Sequence, residues 1–150
     1  MARLCIINVV GLTPQLWQHA PHLSRLGNAQ GWTSPCPAVT CTSQATLLTG
    51  RTPAEHGIVG NGWFYRDTQE IRFWQQANSL IQGDKFYKGV ETAKMFWWFN
   101  QSAGVRYSAT PKPHYGSDGS KVFDILDHTE CDLVNQLGPF PFFSFWGPAD

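Results

Sequence analysis

Apolar and polar positions divide the chain into short segments. RLCIINVV (3–10) is a β-branched apolar run closed by Gly11, and it predicts a buried strand. Pro14 continues the loop that follows. HAPHLSRLGNAQG (19–31) has Pro21 near its first turn and Leu23 and Leu26 on one face, and predicts a short helix. A loop with Pro35 and Pro37 leads to a helix over about 41–49, stopped by Gly50. RTPAEHGIVGNGW (51–63) reads as a turn-rich loop, and FWQQANSLIQ (73–82) as a helix ending at Gly83. TAKMFWWF (92–99) predicts a buried strand, and RYSATPKPHYGSDGSK (106–121) a long Pro/Gly/Ser loop. DHTECDLVNQLG (127–138) predicts a helix capped by Asp127 with Glu130 and closed by Gly138. No internal repeat, low-complexity tract or linker interrupts the pattern, so residues 1–150 read as one domain. Strands alternating with helices predict an α/β fold with a mostly parallel sheet.

Composition narrows the function classes. The net charge is zero, which argues against a broad nucleic-acid surface or a polybasic membrane surface. No apolar run approaches transmembrane length. Arg3 before LCIINVVGL resembles the start of a signal peptide, but Asn8 interrupts the run and no small-residue cleavage site follows. Cys5, Cys36, Cys41 and Cys131 form no CxxC pair and no zinc-ribbon spacing. They read as free thiols of a reducing compartment, which places the protein in the cytoplasm. The 7 Trp and 10 Phe are heavy for 150 residues and crowd into FWWF (96–99) and FPFFSFWG (140–147). Such a tail calls for a packing partner, in this chain or another.

The chemistry concentrates in PAVTCTSQATLLTG (37–50). Thr40, Cys41, Thr42 and Ser43 fall where a helix begins, and a helix N-terminus favours anions. Thr40 or Thr42 serves either as an N-cap or as a nucleophile towards phosphorus. A threonine hydroxyl needs activation at neutral pH, and no nearby His or Lys is an obvious base, which leaves a metal. Cys41 offers a separate possibility, a thiolate nucleophile with His56 as its base.

The longer string PAVTCTSQATLLTGRTPAEHGIVGNGW (37–63) resembles the nucleotide pyrophosphatase/phosphodiesterase family of the alkaline phosphatase superfamily. That family carries a pattern close to P-x-x-T-F-P-N-H-x-T-L-x-T-G, then P-x-x-H-G-I-x-x-N. Thr40, Thr46-Leu47-Leu48-Thr49-Gly50, Pro53, His56, Gly57, Ile58 and Asn61 match it. HAPHLSRLGNAQG is similar to the family's T-P-N-L-x-x-L segment, and NVVGL to its first strand. The resemblance is dense over about residues 4–63 and weak beyond. It implies a three-layer α/β sandwich of the alkaline phosphatase type, with this chain as an incomplete, N-terminal part. It also implies a phosphate ester or nucleotide-like substrate and two zinc ions. Thr40 would be the zinc-activated nucleophile, Asn61 a donor to a phosphoryl oxygen, and the Cys41 N–H a second oxyanion donor. His56 would hydrogen-bond within its loop and not bind metal. The plainer reading of Asn61 is a left-handed turn residue before Gly62.

Departures from the pattern keep alternatives open. Val10 stands where the family has a zinc-binding Asp, and Asn8 is too far back along a strand to replace it. Cys41-Thr42-Ser43-Gln44 replaces F-P-N-H, and no D-x-x-G-H or D-H-G-M segment is present. His114, Asp118, Asp124, Asp127 and His128 follow no regular ligand spacing, and His19 and His22 read as surface or cap residues. The chain is therefore expected to be part of a phosphodiesterase, a divergent phosphate-binding domain, or a scaffold.

Overall fold

In the computed structural model, which describes residues 3–115 and 121–128 with side-chain detail up to Ser108, ten short elements follow one another. They are α1 (Pro14–Trp17), α2 (Pro21–Ser24), α3 (Thr40–Thr49), α4 (Pro53–His56), β1 (Gly62–Tyr65), β2 (Glu70–Phe73), a 3-10 turn (Asn78–Leu80), β3 (Ala93–Met95), β4 (Tyr107–Tyr115) and β5 (Lys121–His128). The chain divides into two compact units, Met1–Thr33 and Ser34–Asp150.

In the first unit, Thr13 caps α1 by accepting the Leu16 N–H at 3.3 Å, and Pro14 opens the helix. The helix expected over 19–31 shrinks to α2, and both His19 and His22 are exposed. The strand expected over 3–10 does not form. Leu4 and Val10 are each 81% exposed, and Ile6, Ile7 and Val9 also face outward. A β-branched run becomes a strand only with a neighbour to complete its ladder, and no described strand pairs with it.

The second unit is organised around α3. Cys41, Ala45 and Leu48 recur at i, i+4 and i+7 and form its buried stripe. They join Ile58, Ile81, Tyr87, Trp98, Phe99, Ala103 and Val105 in one apolar core. Burying Leu48 or Ile58 contributes about 1.5–3 kcal/mol each. Gly50, left-handed at φ 67°, closes the helix and donates its N–H to Thr46 O at 2.8 Å. Pro53 opens α4, and Glu55 reaches back to the Thr52 N–H at 2.8 Å and hydroxyl at 2.7 Å.

The sheets are two and small. β1 and β2 form an antiparallel hairpin, while β3 pairs parallel with β4, and β4 antiparallel with β5. The architecture is mixed α/β. The mostly parallel sheet is corrected: among the described strand pairs only β3–β4 is parallel. The cause lies in two short connections, which permit only antiparallel neighbours. One falls inside the segment read as the 106–121 loop. Pro111 and Pro113, two apart, place their missing N–H groups on one edge of β4, and β3 pairs no further along β4 than Ala109.

Two further readings change. The helix over 73–82 gives way to the end of β2 and the 3-10 turn, because Trp74 takes φ 55°, outside the helical region. The strand over 92–99 stops at Met95, because Phe96 and Phe99 turn left-handed at φ 61° and 62°. Asp127 and His128 are the last residues of β5. The rest of the 127–138 segment, Asp118 and the aromatic tail lie outside the described residues.

Candidate functional site at the start of α3

Helix α3 begins differently from the capping expectation. Its N-cap is Val39, extended at φ −116° and ψ 160°, whose side chain cannot cap. Thr40 is the first helical residue, so its hydroxyl is not committed to the helix. It is half-buried and has no hydrogen-bond partner among the described residues. Thr42 is also no cap. Its hydroxyl is fully buried and without a described partner.

Asn61, twenty residues on, meets this helix start. Its Oδ1 accepts the Cys41 N–H at 3.0 Å. Only the carboxamide oxygen can accept an N–H, so the bond fixes the orientation of the amide. The Asn61 Nδ2 group is left with both protons unassigned among the described residues. The Cys41 N–H, expected to face an oxyanion, is already engaged; it orients Asn61 instead. The turn reading of Asn61 does not hold, since Asn61 is not among the residues with positive φ. Gly62 has its own reason: a Cβ there would lie 2.5 Å from the Phe73 ring, which crosses it from β2.

The Cys41 thiol points into the core. Burial pushes its pKa up to about 12, so almost no thiolate exists at neutral pH. His56 cannot act as its base. The imidazole is fully buried, its Nδ1 accepts the Ile58 N–H at 3.1 Å, and its Nε2 lies 3.0 Å from Thr46 Oγ1. Since Nδ1 must be unprotonated to accept, Nε2 carries the proton and donates it to Thr46. Burial lowers the His56 pKa, which keeps this neutral tautomer. With both nitrogens occupied, His56 bonds within its loop at Ile58 and, beyond the expectation, ties α4 to α3 at Thr46.

Polar side chains that the sequence reading did not single out fix the aromatic segment beside α3. Gln44 Oε1 accepts the Trp98 N–H at 2.8 Å, and Gln76 Oε1 accepts the Phe99 N–H at 3.0 Å. The buried Lys94 Nζ donates to Trp98 O and Phe99 O, each at 2.8 Å. Burial, with Lys85 nearby, pulls its pKa down to about 7. The one available signal was Gln44, which with Thr42 is a polar residue on the buried side of α3.

The two-zinc centre does not fit the residues at hand. Such a centre needs several Asp and His side chains converging on one point. Among the described residues no three His, Cys, Asp or Glu side chains do so. Val10 supplies no donor atom and is exposed. Among the described residues Thr40 directly precedes the Cys41 N–H that holds the Asn61 carboxamide, and no step through a metal follows from them.

No curated protein and no solved structure matches the chain. A family model does, that of type I phosphodiesterase / nucleotide pyrophosphatase, over residues 4–137. The match spans most of the sequence, from the apolar run at its start, through the Thr40–Asn61 corner, to beyond β5. By that match the chain belongs to the type I phosphodiesterase / nucleotide pyrophosphatase family.

Proposed function

We propose that this chain carries the nucleophile side of a hydrolase for phosphodiester or pyrophosphate bonds, with Thr40 as the attacking residue. The observation that carries the reading is the Thr40–Cys41–Asn61 corner. An uncommitted hydroxyl opens α3, and the adjoining backbone N–H holds the Asn61 amide in one orientation. In this reading Thr40 Oγ1 attacks phosphorus, the bond to the leaving oxygen breaks, and a phosphoryl-threonine forms. Water then attacks phosphorus and returns the hydroxyl. Asn61 Nδ2 donates to a phosphoryl oxygen, where charge grows in the transition state. The Thr40 proton ends on the leaving oxygen, and one proton of the attacking water returns to Thr40. The whole fold is read as a three-layer α/β sandwich of the alkaline phosphatase type, with this chain as its N-terminal part. A reducing, cytoplasmic setting belongs to the same reading.

One observation favours a second reading, binding without cleavage: Val10 stands where the resemblance places a metal-binding Asp. The two readings separate in one experiment. The chain, Thr40→Ala and Asn61→Ala are assayed for hydrolysis of a p-nitrophenyl nucleotide diester with zinc supplied, and for binding of inorganic phosphate. Turnover that vanishes in Thr40→Ala supports the hydrolase. Turnover that survives Thr40→Ala removes Thr40 from its role. Phosphate binding that depends on Asn61, with no turnover, selects the second reading.

A further inference from the structure

The start of α3 is joined to Asn61 twice, and the second route is indirect. Directly, Cys41 N–H donates to Asn61 Oδ1 at 3.0 Å. Indirectly, Gln44, one turn beyond Thr40 on α3, accepts the Trp98 N–H at 2.8 Å. The Trp98 indole stacks on Trp74, with ring centroids 5.1 Å apart and planes 28° apart. The Trp74 N–H then donates to Asn61 O at 2.9 Å. The circuit leaves α3 at Gln44 and returns to it at Cys41. Gln44 is 6% exposed, so its Oε1 has little access to water, and the peptide N–H of Trp98 fills its need for a donor. Trp74 takes φ 55°, a conformation that a bulky residue holds only when its surroundings fix it.

We propose that Gln44 is a positioning residue for the Asn61 carboxamide, acting through the Trp98–Trp74 stack. The proposal rests on the reading of Asn61 as a phosphate ligand for its consequence in catalysis, but the placement of Asn61 is testable without activity. Hydrogen bonds to the main chain of Asn61 and to its side chain constrain the two ends of the residue. Losing Gln44 releases the Trp98 N–H, the indole shifts against Trp74, and the Asn61 amide loses the steady aim that this packing gives it. The loss stays local, because Lys94 and Gln76 still hold the Trp98 carbonyl and the Phe99 peptide.

The test compares Gln44→Leu, which removes the acceptor at similar volume, with Gln44→Glu, which keeps an acceptor oxygen. Amide hydrogen exchange is read at Cys41 and at Gly50, whose N–H closes the far end of α3 on Thr46 O. Circular dichroism reads the coupled-indole band of the Trp74–Trp98 stack. In Gln44→Leu the band is lost and Cys41 exchange speeds up about tenfold relative to Gly50, the factor that one hydrogen bond carries. In Gln44→Glu both stay as in the parent. Unchanged Cys41 protection in Gln44→Leu overturns the proposal. So does equal acceleration at Cys41 and Gly50, which marks general loosening of the helix. A parent chain that neither binds inorganic phosphate nor hydrolyses the diester sinks the phosphate reading of Asn61, while the exchange result still decides whether Gln44 places it.

Discussion

Lys94 offers the sharpest test of the energetics. The residue is 4% exposed, with its ammonium over the Tyr87 ring at 5.8 Å and bonded to the carbonyls of Trp98 and Phe99. Burial lowers its pKa from 10.5 to about 7. The unfolded chain then binds more protons than the folded one between those values, so stability rises with pH across that window. Below pH 7 the folded state bears the full cost of a buried charge. Two other groups set the usable range. His56 titrates lower, and the Cys41 thiol, raised from 9.0, reverses the trend only near and above that value. Between pH 7 and 8.5 the Lys94 contribution amounts to roughly 1.5–2 kcal/mol of added stability. Lys94→Met removes this dependence. It also strands two buried carbonyl groups, which costs about 1–3 kcal/mol for each. Urea unfolding at pH 7 and pH 8.5 measures both effects. The parent gains stability over the interval and Lys94→Met, less stable throughout, does not. Parallel profiles for the two proteins refute the assignment of a buried, titrating Lys94.

Three further outcomes follow from the same geometry. Gly62→Ala drives a Cβ to 2.5 Å from the Phe73 ring, but that residue is 61% exposed and can swing aside. The cost is therefore about 1 kcal/mol, at the low end for overpacking, and it disappears in a Phe73→Ala background; equal costs in both backgrounds would contradict the contact. The depressed His56 pKa makes its stabilisation complete above the unfolded value of 6.5 and lost as pH falls below it towards the folded value. Unfolding curves at pH 7 and pH 5 then show a loss in the parent that His56→Gln lacks. A thiol reagent at pH 8, followed by peptide mapping, labels the exposed Cys5 and Cys36 in the folded chain and reaches Cys41 only after urea is added; rapid native labelling of Cys41 would restore it as a candidate nucleophile.

Local signals survived into the structure where the chain itself enforces them. Helix α3 and its Gly50 stop follow from the apolar spacing at Cys41, Ala45 and Leu48 and from one residue with φ 67°. The nearness of Asn61 to the start of that helix was legible only through the family pattern, since no local rule joins positions twenty apart. Elsewhere, pairing decided the outcome. RLCIINVV has every local mark of a strand, yet no described strand completes it. Pro111 and Pro113 mark a loop by composition, yet both fit a strand with one unpaired edge. Trp63, Tyr65, Ile71 and Phe73 carried an alternation around a short polar turn that identifies the β1–β2 hairpin in retrospect. Long-range bonds were the least legible. Gln44, Gln76 and Lys94 read as ordinary polar residues, and only the folded chain brings them to the peptides of Trp98 and Phe99.

On the proposed function, Thr40 forms a covalent phosphoryl link. It is tested most directly by acid-quenching the chain in the presence of zinc and a p-nitrophenyl nucleotide diester, then mapping the added mass. The adduct is expected on the peptide containing Thr40 and absent from Thr40→Ala. An adduct on any other residue, or one that persists in Thr40→Ala, would contradict it.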